Sequence, residues 1–551
     1  MSAAKRLATL GCVGLLAATS ACSSSSSSSG GVDGAPKTAI TMGTIESYSS
    51  LDPAGAYDTG SWLVFYNIYQ RLMSYAPGAT IPTPDAAQNC SFADSTDTVY
   101  TCTLQSGLTF SNGDPLNAAA VKYSIDRVIQ IGKLKRDNDS GVSVLLSTVQ
   151  SVTTSGDLGI TFHLNTSDAT FPDRLASGVG SIVDPKTFPA TSLLQGDNPV
   201  GSGVYQVDSV KLGQPQGGRA NPQSVSMSLN ADYKGQAITA TSKPLNSSVQ
   251  LNYYTTPAQM MTALNSGAID MNASTDIASS DLVRLEGAQI LGKGLQVDTG
   301  AGTQTRMIVL NVKNGPFSNP ATRKAVAEMV DRNAIASQVY QRTVVPLYSV
   351  IPGGIGDATT AYQDVYGADP TAASEVRRQL DNAGVKLPIS FDYSYAQSSP
   401  GADAEAALVK QELETGGVFK VNLKPVANLN DLIGEWGTGK VEASVSGWSS
   451  DYPDPDDYVS PFLGAPGTFG SYYTNAYISN TLVPQTLQQS DRSSADLQTE
   501  LGKIQTQFAK DAAYIPLWQN KQYVVTQADV TGVPLTLDTA GIMRFWMVGK
   551  N

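Results

Sequence analysis

The stretch GWSSDYPDPDDY, residues 447–458, sets four aspartates within seven positions: Asp451, Asp454, Asp456 and Asp457. The aromatics Trp448, Tyr452 and Tyr458 lie among them. Carboxylates at this density suit several chemistries. They could ligate calcium, although the central glycine and closing glutamate of an EF-hand loop are missing. Two of them could hydrolyse a glycosidic bond if they stood about 5–10 Å apart across a sugar, which the sequence leaves open. One of them could hold a ligand's ammonium group, because a carboxylate offers several acceptor positions to three N–H donors. They could also serve the chain itself. Pro453 and Pro455 stiffen the segment, and carboxylates ahead of the helix-like YVSPFL would cap its amides and favour its positive end.

Other reactive groups are sparse. His163 is the one histidine of the 551 residues. In LGITFHLN, Leu158, Ile160, Phe162 and Leu164 alternate with Gly159, Thr161, His163 and Asn165, the pattern of a half-buried strand with His163 on its polar face. A Ser-His-Asp hydrolase would need this residue as its base, and a zinc site with two histidines is impossible. No P-loop or dinucleotide-binding fingerprint occurs. The formal charge is −12 with 15% charged residues and no basic patch, which argues against a nucleic-acid partner. No cofactor or metal is expected.

The amino terminus reads MSAAKRLATLGCVGLLAATSACSSSSSSSGG. Lys5 and Arg6 precede an apolar run of signal-peptide length, too short to span a bilayer. Thr19-Ser20-Ala21 followed by Cys22 resembles the lipobox of bacterial lipoproteins, which implies cleavage before Cys22 and lipid on its sulfur. The plainer alternative is an ordinary secretory signal with Cys22 incidental. The Ser/Gly tract that follows suits a flexible tether. Either way the body is expected outside the cytoplasmic membrane, and a lipidated Cys22 would anchor it to the outer face. Cys90 and Cys102 then stand in an oxidising compartment. They lie symmetrically about Thr96 in NCSFADSTDTVYTC, which reads as a hairpin with a cross-strand disulfide, the alternative being two buried thiols.

Elements of both kinds must position these groups. SLDPAGAYDTGSWLVFYNIYQRLMSY reads as a turn and an amphipathic helix carrying Leu63, Asn67, Ile68, Leu72 and Met73. YTCTLQSGLTFSNGDPLNAAAVKYSIDRVIQ reads as strand, turn and helix, with Asn117 as cap and Val121, Ile125, Val128 and Ile129 as core stripe. In VQLNYYTTPAQMMTALNSGAIDM a helix capped by Thr256, opened by Pro257 and closed by Gly267 lies between strands. RMIVLNVKNGPFSNPATRKAVAEMV is strand then helix, starting at Asn319 and Pro320. LPISFDYSY, ADAEAALVKQELETGG and FKVNLKPV form a β-α-β unit, and AYIPLWQNKQYVVT is a late strand. The class is α/β, and the length implies two or three domains.

Together these segments resemble the peptide/nickel-type family 5 of extracellular solute-binding proteins of ABC importers, especially its oligopeptide- and dipeptide-binding members. The carrying blocks are SLDPA, LQSGLTFSNGDPLNAAAVKYSIDRV, PVGSGVY, ALNSGAIDM, FSNPATRKAVAEMVDR, GWSSDYPDPDDY and IPLW, in the family's order. The resemblance implies a two-lobed periplasmic-binding-protein fold (type II, cluster C) with an extra inserted domain. Its implied boundaries are signal peptide 1–21, tether 22–37, lobe I from 38–75, 191–305 and 516–551, inserted domain 76–190, and lobe II 306–515, with hinge strands near 305 and 515. It implies a monomer that captures a peptide without catalysis and delivers it to ABC permease subunits. A non-peptide solute (nickel chelate, haem, sugar or cationic metabolite) is the alternative. By the same resemblance Asp451 meets the ligand's ammonium, a contact worth about 4 kcal/mol at ~4 Å and an effective dielectric of 20. Gly447 and Ser449 offer a backbone edge to which a peptide adds as a strand. Trp448 walls a side-chain pocket. Tyr57, Asp58 and Thr59 form the opposing edge, and Asn272 and Ser274 lie near the pocket. Some family members carry an arginine six residues before the aspartate; here that position is Val445.

Overall fold

The computed structural model describes residues 38–134, 141–214, 221–238, 243–273, 277–290, 294–464 and 468–551. The leader, the tether, Cys22 and Ser274 lie outside the described residues.

The early segments alternate between sheet and helix. Strand β1 (Ala39–Thr44) leads to helix α1 (Thr59–Ile68), whose N-cap Asp58 accepts from the Ser61 amide. The helix stops earlier than the apolar pattern suggests. Tyr69 is extended, and Gly203 presses its amide onto Ile68 O at 2.9 Å. Leu72 and Met73 therefore belong to the extended chain beyond the helix, where Asp85 and Ala87 donate to Leu72 O. Strands β2 (Ala87–Phe92) and β3 (Val99–Leu104) form the expected hairpin; Cys90 faces Cys102 across it and the two are disulfide-bonded. Helix α2 (Ala118–Leu134) is capped by Asn117, which accepts from Ala120 N at 3.1 Å. Its buried stripe includes Val121, Ile125 and Val128, but Ile131 is the buried residue of its last turns and Ile129 only half so. Strands β4 (Val149–Ser155) and β5 (Gly159–Leu164) complete a four-stranded antiparallel sheet, β2-β3-β5-β4. His163 is half-buried on its outer face, as the alternation implies, whereas Leu158 lies in the preceding turn and is exposed. Helix α3 (Phe171–Ala176) follows.

The large sheet takes in the rest. Strands β6 (Tyr205–Leu212), β7 (Pro222–Leu229) and β8 (Ser248–Tyr253) are antiparallel neighbours. Helix α4 (Pro257–Ser266) has Thr256 as N-cap and Gly267 in the left-handed conformation as C-cap, φ 73°. Strand β9 (Met271–Asn272) pairs with β1. Then come β10 (Gln296–Leu310), α5 (Pro320–Met329) capped by Asn319, β11 (Ile389–Ala396), α6 (Ala402–Glu414), β12 (Phe419–Val426), β13 (Ala443–Trp448) and β14 (Tyr514–Thr526). The main path runs β12-β11-β13-β10-β14-β9-β1-β8-β7-β6.

Two of the blocks that carry the resemblance prove to be one contact. Asp52 of SLDPA accepts both arms of Arg127 of SIDRV, Nη1 to Oδ1 at 2.7 Å and Nη2 to Oδ2 at 2.6 Å, and both side chains are at most 1% exposed. Asp52 also takes the amides of Ala54 and Leu194. A buried ion pair is tolerated when its remaining hydrogen-bonding capacity is filled in this way.

Strands β10 and β14 are the long members that join the two halves of the sheet. They pair from Gln296–Thr526 to Ala301–Lys521 and again from Thr305–Gln519 to Val309–Tyr514, with register breaks between Ala301 and Thr305 and between Arg306 and Met307. At the first break a side-chain carbon on Gly302 would lie 2.6 Å from Asn520 O, so only glycine fits. The carbonyls freed by the break are taken by glutamine amides: Gln519 Nε2 donates to Gly302 O at 3.3 Å, and Gln522 Nε2 to Ala301 O at 2.8 Å. Beyond the break β10 is buried on both faces. Ile308 and Leu310 enter one apolar cluster with Val445 and α6, while Met307 and Val309 enter another with Phe462 and Tyr514. This accounts for the unbroken apolar run MIVL.

Candidate functional site

The acidic stretch begins at the end of β13. Gly447 pairs with Arg306 of β10, and a side-chain carbon there would meet Thr305 O at 3.0 Å. On its other side β13 pairs with β11 only at Ala443 and Ser444. Among the described residues no strand pairs with the far edge of β13 beyond Ser444; Ser446 is buried there, and Gly447 and Trp448 are partly exposed. Val445, at 1% exposure, points into the apolar core and not toward this edge. Ser449 is exposed, and Trp448 is half-buried with its ring edge-on to Phe462 and Phe469.

Asp451 lies just beyond. Its Oδ2 accepts the Tyr57 hydroxyl at 2.6 Å, a contact between positions 394 residues apart. Its backbone N–H donates to Asp457 Oδ2 at 2.8 Å, and Trp448 Nε1 donates to the same oxygen at 3.3 Å. Asp457 thus holds both the aspartate's backbone and the neighbouring indole. Neither Asp451 nor Asp457 has a cationic side chain within ion-pair distance among the described residues. The consequence is electrostatic. Burial, the largest influence, pushes the Asp451 carboxyl up to about 7, against the lowering effects of the Tyr57 hydroxyl and of Arg174. Asp457 is pushed well above the usual carboxylate range, first by burial and then by the charge of Asp451. Two adjacent carboxylates met by neutral donors alone make a place where a positive charge is favoured.

The other two aspartates are occupied. Asp454 caps the short 3₁₀ turn Pro455–Tyr458, accepting from Asp456 N, and takes a fork from Arg492 at 2.7 and 2.8 Å. Asp456 accepts the Ser460 hydroxyl at 2.6 Å and faces Arg174 at 3.9 Å. The cap role read from the sequence holds for Asp454. Asp454, Asp456 and Asp457 are all buried, at 2–4% exposure. The arginines that make burial tolerable, Arg174 and Arg492, carried no sequence signal, since each pairs with the turn only through the tertiary fold. No group of three or more His, Cys, Asp or Glu poised to hold a metal occurs among the described residues.

The remaining expected residues divide. Tyr57 reaches Asp451, and its ring continues an aromatic row with Trp62 and Tyr66 at centroid spacings of 5.8 and 6.3 Å. Asp58 is occupied as the helix cap, bonding Ser61 N and Oγ. Thr59, the first residue of α1, is exposed. Asn272, expected near the pocket, is placed in the sheet. It is fully buried, donates to Tyr523 O at 3.1 Å and accepts from Val525 N at 2.6 Å, fastening β9 to β14.

Comparison with known proteins agrees with this architecture. The sequence profile of the bacterial extracellular solute-binding proteins, family 5 (middle region), matches residues 82–470. The probable D,D-dipeptide-binding periplasmic protein of Escherichia coli K12 is 24% identical over 514 residues, covering 90% of this chain and 91% of its own. The glutathione-binding protein of Salmonella typhimurium is also 24% identical over 514 residues, with 92% and 93% covered. Among solved structures, a periplasmic binding protein from Helicobacter pylori in complex with the peptide STSA superposes with a TM-score of 0.73 at 20% identity, over 93% of this chain and 98% of that one.

Proposed function

We propose, for a chain that belongs to the family 5 bacterial extracellular solute-binding proteins, that it captures short peptides by their amino terminus and delivers them to the permease of an ABC importer. Asp451 is the anchor, and the observation that carries the reading is its setting: a carboxylate reached from the other side by Tyr57, braced behind by Asp457, and with no cationic side chain at ion-pair distance among the described residues. A peptide ammonium would supply that cation, with two N–H groups left for neighbouring acceptors. The partly exposed backbone at Gly447–Ser449 would take the peptide backbone as an added strand, giving affinity that is indifferent to side chains. Relatives that bind a D,D-dipeptide and glutathione support a peptide as the solute.

In this reading lobe I comprises 38–75, 191–305 and 516–551, lobe II 306–515, and the inserted domain 76–190. The register break around Gly302 is the hinge. The protein binds and releases without covalent chemistry and acts as a monomer. Cys22 carries the lipid that holds it at the outer face of the cytoplasmic membrane; no helix of the described residues is long and apolar enough to cross it. Native mass spectrometry of the purified protein tests the solute class. A ladder of co-purified peptide masses supports the proposal, whereas one discrete non-peptide mass replaces the peptide with another solute.

A further inference from the structure

Arg174 is the feature the amine anchor does not explain. It sits on α3, far in sequence from the acidic turn, with its side chain 13% exposed. Its base is fixed: Asp168, 1% exposed, pairs with Arg174 Nε at 3.1 Å while accepting the hydroxyls of Thr148 and Thr170 at 2.7 Å each. Its outer end is only loosely taken. Nη1 donates to Leu145 O at 3.4 Å, and Nη2 lies 3.9 Å from Asp456 Oδ2, an oxygen with no hydrogen bond of its own. The guanidinium carbon stands 5.4 Å from the centre of the Tyr452 ring. The segment before α3 also meets the chain beyond the turn, where Ala169 N donates to Leu487 O at 2.9 Å. Arg492 holds the opposite end of the turn, at Asp454.

We infer that Arg174 is a positioning residue, a clasp through which the α3 segment grips the turn 452–456 when the lobes close, and so sets closure for every ligand alike. The argument is one of charge and place. Closing the lobes brings Asp451, Asp454, Asp456 and Asp457 out of water together, and of these Arg492 hydrogen-bonds only Asp454. Arg174 is the cation that arrives from the opposing side, already neutralised in part by Asp168, so its pull on Asp456 is graded and reversible. Its guanidinium lies over the ring of Tyr452, one residue after the anchor Asp451, so the clasp also bears on the direction in which that carboxylate points. The inference rests on lobe closure and not on Asp451 binding an amine.

The test is small-angle scattering of the full chain. Arg174→Gln is expected to shift the closed-to-open ratio about tenfold toward open, the size of one partly buried ion pair. The radius of gyration should rise, and Arg174→Lys, which keeps the charge, should restore part of the compaction. Asp456→Asn should open the chain in the same way, and Arg174→Gln should add nothing to it. Scattering unchanged by Arg174→Gln, or additive effects of the two substitutions, would overturn the clasp. Calorimetry with trialanine and N-acetyl-trialanine separates the two readings. The clasp predicts that Arg174→Gln leaves the ratio of the two affinities unaltered. If the wild type binds both equally while scattering still responds to Arg174→Gln, the amine anchor fails and the clasp stands.

Discussion

Titrating the buried Asp451 carboxylate should change binding in a way that simple surface charge would not. The ligand-free carboxyl of Asp451 sits at about 7 because burial disfavours its charge, and only the ionised form can accept an ammonium. At pH 5 about 1% of it is ionised, so affinity for trialanine should be ~100-fold lower than the plateau. It should climb about tenfold per pH unit to pH 7. Above about pH 8 the peptide's own amine loses its proton and affinity should fall, leaving a maximum between roughly 7 and 8. Binding at pH 6 should expel about nine-tenths of a proton, readable by calorimetry in two buffers of different ionisation enthalpy. The ligand-free fold should show the opposite trend. Its Asp451 pKa lies above the unfolded value, so the stability contributed by proton binding is fully present below about pH 4 and is lost as pH rises through about 7. Flat affinity between pH 5 and 7, or no proton released at pH 6, would refute the reasoning.

Tyr57→Phe removes the hydroxyl that helps keep Asp451 ionised; trialanine affinity should fall about two- to tenfold, more at pH 6 than at pH 8, by the same calorimetry. Asp52→Ala leaves Arg127 buried without its partner and should cost about 3–5 kcal/mol in urea unfolding, far more than loss of a surface pair. Replacing Cys90 and Cys102 by serine opens a bridge spanning 12 residues. It should cost about 3 kcal/mol, lost from the β2-β3 hairpin in hydrogen exchange, with trialanine affinity unchanged because the bridge lies outside the candidate site.

Local chemistry was legible wherever a residue's role is discharged nearby. Thr256, Pro257 and Gly267 bound their helix as read, and Asn117 and Asn319 cap theirs, because a cap and its amide lie within three residues. The Cys90–Cys102 pairing was legible because a short hairpin sets the register. The end of α1 was not, because Gly203, more than 130 positions away, is what terminates it. The site divides along the same line. Asp451 could be nominated from its motif, and Tyr57 from the turn opposite. What braces them, Asp457 behind the anchor and Arg174 and Arg492 around the turn, is assembled by the fold from places with no shared pattern. The partners of Asn272, Tyr523 and Val525 some 250 residues on, were likewise invisible in the local sequence.

The central claim is that Asp451 meets a ligand's positive amino end, and one comparison tests it most directly. Calorimetry at pH 7.5 with trialanine and N-acetyl-trialanine, on wild type and Asp451→Asn, isolates that contact. The account predicts that acetylation weakens wild-type binding by two orders of magnitude or more, on the scale of a charged hydrogen bond of ~3 kcal/mol, and that Asp451→Asn abolishes the difference. Equal affinities for the two peptides in the wild type, or a difference that survives Asp451→Asn, would contradict it.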